Sequence, residues 1–235
     1  MKREKLIDKL NSEFVTLDTP LRAFDPDDNF IEDDQWAFVE EGNSSSEIEL
    51  RYDQGSITAT LWRNGVSLGT YKSTAIDRFD RLARVLSLWC IEKTNVTMIA
   101  DEFPEINTGD WVEAYEQGPA EYVSFMWEAI SRFMENSFPN MMPIVKLALE
   151  QPELRELYPY QSLSSLCFSR CTGFPFSAGY PRIEYVEQNK YAVTGMGRQI
   201  LGEGSAEEAI RIAVANLPPD SGSAFHGAEE YSSGA

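Results

Sequence analysis

The chain has 235 residues, 43% hydrophobic and 25% charged, the composition of a globular protein long enough to bury one large core or two small ones. Its 38 acidic residues face 20 basic ones, for a formal net charge of −18, so its surface repels phosphate backbones and disfavours nucleic acid as a partner. No apolar run reaches the length of a membrane span, and Met1–Leu10 carries charges where a signal peptide needs an apolar core; no membrane association and a cytoplasmic location are expected.

Leu6, Ile7, Leu10 and Phe14 recur at spacings of three and four and predict a helix over residues 2–14. An acidic loop follows at 25–34. Asp25, Asp27 and Asn29 match the first, third and fifth positions of a calcium-binding EF-hand loop, but Phe30 and Trp36 stand where that loop needs glycine and glutamate. The loop therefore reads as charged surface. Strands are expected at 47–52, 57–63 and 66–72. Asn64-Gly65 joins the last two, a pair suited to a type I′ turn because both residues tolerate positive φ. Ser73 or Thr74 would cap a helix with Ile76, Phe79, Leu82, Ala83, Leu86 and Cys90 on its apolar face.

Residues 94–118 suggest a short strand and loop around Phe103-Pro104. Pro119 suits the first position of a helix reaching Asn136, with Tyr122, Val123, Met126, Ile130 and Phe133 facing inward. A further helix is expected at 142–151, ending before Pro152. Strands follow at 163–170, 183–186, 191–194 and 199–201. Ser205-Ala-Glu-Glu208 is a capping box that opens a helix to Asn216. The Ser-, Gly- and Ala-rich residues after Pro218-Pro219 read as a mobile tail.

Helices and strands are thus segregated, which indicates an α+β fold with antiparallel sheets: a β-hairpin, central helices and a C-terminal strand-rich segment closed by a helix. Pro139, Pro143 and Pro152 punctuate a candidate boundary. The expected division is an N-terminal lobe over 1–140, a C-terminal lobe over 141–219 and a tail over 220–235.

Catalytic constellations are scarce. Cys90, Cys167 and Cys171 are the only cysteines and His226 the only histidine. A zinc site needs four converging ligands, usually in two closely spaced pairs, and Cys167 and Cys171 make only one such pair. The acids are plentiful enough for a carboxylate-held metal, but no motif spacing points to one, and neither a metal nor a cofactor is expected. If 165–171 were one strand, the Cα atoms of Cys167 and Cys171 would stand about 13 Å apart, too far for a disulfide. A serine or cysteine nucleophile normally recruits histidine as its base, and His226 falls in the tail. Cys171, at a strand-to-turn junction beside Arg170, is the weak catalytic candidate, because a neighbouring guanidinium lowers a thiol pKa. The run Gly195-Met-Gly197-Arg-Gln-Ile-Leu-Gly202 has its third glycine too late for a dinucleotide fingerprint and reads as a hairpin turn.

The densest signal lies between Leu157 and Tyr185. Tyr158, Tyr160, Phe168, Phe174, Phe176, Tyr180 and Tyr185 crowd together there with Arg170 and Arg182. Aromatic and arginine side chains are what interface hot spots and ligand clefts are made of, although such rings also build ordinary cores. The candidate binding residues are Tyr160, Ser169, Arg170, Thr172, Phe174 and Arg182. The segment Leu157–Phe176, together with Gly202-Glu-Gly204, Glu207–Arg211 and Asn216–Pro219, resembles a family of uncharacterised bacterial proteins, mostly actinobacterial, labelled as natural-product-biosynthesis proteins. The likeness is carried mainly by residues 154–219 and implies an accessory role with no established activity.

Three functions remain in view. The leading expectation is a non-catalytic acidic protein of a natural-product or similar gene cluster, which binds a protein partner or a ligand. The second is an immunity-type inhibitor that docks a basic toxin on residues 25–53, where eleven acids face Arg51 alone. The third is an enzyme using Cys171 or carboxylates such as Glu184 beside the aromatic loop.

Overall fold

The computed structural model describes residues 5–26 and 35–229. Most of the acidic loop with the EF-hand-like spacing lies outside the described residues. The chain forms two compact units, Met1–Glu113 and Ala114–Ala235, each α+β with its own antiparallel sheet. The helix beginning at Pro119 therefore belongs with the C-terminal sheet, although the proline-rich stretch at 139–152 had suggested a later boundary.

In the N-terminal unit, α1 (Leu6–Thr16) precedes a sheet of six strands in chain order: β1 (Ala23–Phe24), β2 (Trp36–Glu41), β3 (Ser44–Arg51), β4 (Ser56–Arg63), β5 (Val66–Ser73) and β6 (Ile106–Thr108). Asn64 and Gly65 both take positive φ, 51° and 74°, and close the β4–β5 hairpin as their chemistry requires. Alternation along β2–β4 sends Ala37, Val39, Ile48, Leu50, Ala59 and Leu61 into the core. Leu6, Leu10 and Phe14 of α1 and Leu82, Leu86 and Trp89 of α2 (Phe79–Cys90) are buried as well, and the two helices pack against β2 and β3. No side chain caps α2, which starts five residues beyond Thr74; Ser73 instead ends β5 and accepts a hydrogen bond from the Ala75 N–H. Arg63 serves the other end of α2, donating to the Trp89 and Thr94 carbonyls while its guanidinium lies 3.7 Å from the Trp89 ring. A cation suits the Trp89 carbonyl, which lies in the last turn of α2 at the negative end of the helix dipole. Residues 94–118 hold more than the expected strand and loop: α3 (Val96–Glu102) precedes β6, and α4 (Val112–Gln117) follows it across the boundary, so that its Tyr115 belongs to the C-terminal unit.

The C-terminal unit contains α5 (Pro119–Ser137), α6 (Met142–Glu150), α7 (Pro152–Arg155), β7 (Tyr158–Ser162), β8 (Ser165–Ser169), β9 (Arg182–Glu187), β10 (Lys190–Thr194), β11 (Ile200–Gly204) and α8 (Ala206–Ala215). The strands pair in the order β11-β10-β9-β8-β7. Pro119 occupies the first turn of α5, and the Ser205/Glu208 capping box opens α8. The buried stripe of α5 runs through Tyr122, Val123, Trp127, Ile130 and Met134. It is rotated from the expected one, and Phe133 is exposed. Every residue of β8 is buried: Phe168 meets Trp127 of α5, while Cys167 pairs with Tyr160 and Arg182 on the neighbouring strands. Gly195 to Gln199 form the β10–β11 connection, as the hairpin reading required.

Candidate functional site

The Leu157–Phe176 signature folds as the β7–β8 hairpin followed by a tight loop. The strand expected over 163–170 is present as β8, starting two residues later because Leu163 takes positive φ (57°) at the turn after β7. Ser169, the last residue of β8, ties the loop together. Its hydroxyl accepts from the Cys171 N–H (3.1 Å) and the Ser177 N–H (3.0 Å) and donates to the Cys171 carbonyl (2.7 Å). Ser177 Oγ also accepts from the Cys171 N–H (3.2 Å) and approaches Cys171 Sγ (3.3 Å). Cys171 Sγ lies within reach of the Gly173 and Pro175 carbonyls as well. Ser169 and Cys171 are both 0% exposed.

A strand-like strap from the C-terminal end closes over this loop. Phe225 forms a parallel bridge with Cys171. The Phe225 N–H donates to the Arg170 carbonyl, the Thr172 N–H to the Phe225 carbonyl, the Gly173 N–H to the Gly227 carbonyl and the Glu229 N–H to the Pro175 carbonyl. The Glu229 carboxylate also receives the Ala178 N–H. Residues expected to trail off as a tail are thus paired over Phe225–Glu229, because the irregular loop leaves main-chain groups that need partners. His226, expected to be incidental, stacks on Tyr115 with centroids 4.0 Å apart. It places Nδ1 3.1 Å from the buried Thr172 hydroxyl and Nε2 3.0 Å from the Tyr115 carbonyl. Desolvation holds its pKa below the ordinary value of 6.5, against the opposing effect of the Tyr115 carbonyl.

Four of the signature rings, Tyr158, Tyr160, Phe174 and Phe176, form one connected array. Phe176 stacks on Tyr160 at 4.2 Å, meets Tyr158 at 5.7 Å and receives Phe174 edge-on at 5.9 Å. Tyr158 continues to Tyr122, and Tyr122 to Tyr115 beneath His226. Burial raises the Tyr160 phenol to about 12 and the Cys167 thiol to about 11. Arg182 donates to Ser165 Oγ (2.9 Å) and pairs with Glu184 (2.9 Å). Its Nε and the Thr194 hydroxyl on the facing strand are buried without hydrogen-bond partners.

Between the loop and the strap opens a cleft of about 540 Å³ lined by Arg170, Ser177, Tyr180, Asp220, Phe225 and Glu229, among others. Arg170 is its dominant cation. The guanidinium lies 5.8 Å from the Phe225 ring and 3.5 Å from the Asp220 carboxylate, whose side chain is 82% exposed. Arg170 Nε is buried and has no hydrogen-bond partner. The predicted residues therefore separate. Arg170 faces the cleft, Tyr160 and Arg182 lie on the sheet, Phe174 is exposed against Phe176, and Ser169 and Thr172 are interior staples.

Residues 121–228 match the model of DUF6193, a family of unknown function. The matched span runs from α5 to the strap and takes in the whole aromatic array except Tyr115. No curated protein and no solved structure matches the chain. Among the described residues no cluster of three or more His, Cys, Asp or Glu could hold a metal ion, and no helix is long and apolar enough to cross a membrane.

Sequence reasoning missed Ser177, Asp220, Phe225, His226 and Glu229. The last four join the site through contacts spanning 50 or more positions, or through the bridge from Phe225 to Cys171. One signal was present: Phe225-His226 is the only pair of ring side chains in an otherwise small-residue stretch from 221 to 229.

Proposed function

We propose that the protein is a non-catalytic binding protein whose C-terminal unit holds an acidic group of a protein partner in the Arg170 cleft. The carrying observation is the state of Arg170: a guanidinium at a concave surface with a buried, unpartnered Nε and one long ion pair to an exposed aspartate. Such an exposed pair contributes about 0–1 kcal/mol and is readily exchanged for a better carboxylate. Arginine flanked by Tyr180 and Phe225 has the composition of an interface hot spot. Catalysis through Cys171 is disfavoured because its sulfur is inaccessible and bonded on several sides. The accessory role in bacterial natural-product biosynthesis implied by the sequence resemblance is compatible with a binding protein of this kind.

The test compares wild type with Arg170→Ala as affinity baits in lysate of the native source, followed by titration of the captured protein. A partner weakened at least about tenfold by Arg170→Ala, and held as well or better by Asp220→Asn, supports the proposal. Equal capture by wild type and Arg170→Ala refutes it. A second reading, docking of a basic partner on the N-terminal unit, is favoured by Glu40, Glu47 and Glu49, which share one face of the β2–β3 pair. Arg51 neutralises Glu49 at 2.6 Å, which weakens that stripe.

A further inference from the structure

A second cleft shares no lining residue with the Arg170 cleft. It measures about 580 Å³ and opens between the first turns of α5, the end of α7 and the start of the strap. This is within the range of small-molecule sites. Its floor is apolar, with Val123 and Trp127 of α5, Leu149 of α6 and Ala224 of the strap. Its walls are braced: the Trp127 Nε1–H donates to the Arg155 carbonyl at 2.9 Å, and the Ala224 N–H donates to the Glu156 carbonyl at 2.9 Å. The Ser223 hydroxyl donates to Glu156 Oε2 at 2.6 Å, which holds that carboxylate at the cleft.

Two charged side chains line this cavity, and they are adjacent in sequence and opposite in sign: Arg155 and Glu156. Arg155 makes no side-chain ion pair or hydrogen bond among the described residues, although the chain carries 38 acids. An unpaired guanidinium suits a carboxylate bidentately. A serine-oriented carboxylate beside it suits an ammonium, and the apolar floor suits a large hydrocarbon or aromatic side chain. A simple fatty acid would leave Glu156 opposing its head group, and an amine alone would leave Arg155 unused.

We propose that this cleft binds a free α-amino acid with a large apolar side chain, its carboxylate on Arg155, its ammonium on Glu156 and its side chain over Val123, Trp127 and Leu149.

Calorimetric titration of the full chain with L-phenylalanine, L-leucine and L-tryptophan tests it, with 3-phenylpropionate and phenethylamine as probes lacking the ammonium or the carboxylate. Saturable binding of at least one amino acid is expected, with each stripped probe at least about tenfold weaker. Arg155→Ala should weaken amino-acid binding about tenfold or more, and Glu156→Gln, which keeps an acceptor for Ser223, should weaken it several-fold. Ala120→Trp, an exposed position that lines the cleft, should abolish binding while leaving the melting temperature unchanged, so loss of binding is separated from loss of fold. The proposal is overturned by no saturable binding up to about 10 mM, by 3-phenylpropionate binding as tightly as L-phenylalanine, or by unchanged affinity in Arg155→Ala.

Discussion

Replacing Ser169 by alanine tests whether this residue is a staple or a contact. The hydroxyl sits at 0% exposure and makes three hydrogen bonds of 2.7 to 3.1 Å. Its removal leaves the Ser177 N–H without an acceptor and the Cys171 carbonyl without a donor, while the Cys171 N–H keeps Ser177 Oγ at 3.2 Å. Two stranded buried groups cost about 1–3 kcal/mol each, less what relaxation recovers, so about 3 kcal/mol is expected. If the C-terminal unit melts by itself the midpoint falls about 12 °C, and if the whole chain melts as one it falls about 6 °C. Ser177→Ala is the internal control: the Cys171 N–H then retains Ser169 Oγ, so the loss is about 1 kcal/mol. Chemical and thermal denaturation followed by circular dichroism reads both variants. A Ser169→Ala protein that melts within about 2 °C of wild type, or that is no less stable than Ser177→Ala, would show that the knot does not hold the loop. Wild-type stability with lost partner binding would return Ser169 to the contact surface where the sequence had placed it.

Two more outcomes follow from burial. Cys90, Cys167 and Cys171 are all buried, and desolvation pushes Cys90 and Cys167 up to about 11. None should react with a thiol reagent in the native protein, while all three react after denaturation, as read by mass spectrometry; rapid native labelling of Cys171 would revive an enzymatic role for it. His226 is favoured neutral in the fold, so the unfolded chain binds the proton more readily below the ordinary value of 6.5. Its stabilising contribution is present above that value and is lost as pH falls through the lower folded pKa. The difference in melting temperature between wild type and His226→Gln should therefore shrink between about pH 7.5 and 5.5, and a difference independent of pH refutes the assignment.

Where a signal was local, the amino-acid order was enough. Asn64-Gly65 set the β4–β5 hairpin because only such residues enter the left-handed region at little cost, Pro119 set the first turn of α5, and Ser205 with Glu208 set the start of α8. Each device satisfies or spares main-chain groups within a few residues, so it works wherever the chain goes. The Arg170 surface was half legible on the same basis, as a crowding of rings and arginines in one short segment.

Pairing at long range was decided elsewhere. β2 and β7 carry Glu40-Glu41 and Pro159-Tyr160-Gln161, which advertise no strand, and they become strands because β3 and β8 offer them partners in register. Cys171 reads as an exposed junction next to Arg170, yet the strap bridges it at Phe225 and buries it. His226 looked incidental because its partners, Thr172 and Tyr115, are 54 and 111 positions away. The physical reason is the same in each case. A hydrogen bond between distant residues depends on loop closure and on which surfaces the core leaves uncovered, and neither quantity is written in the residues that make the bond.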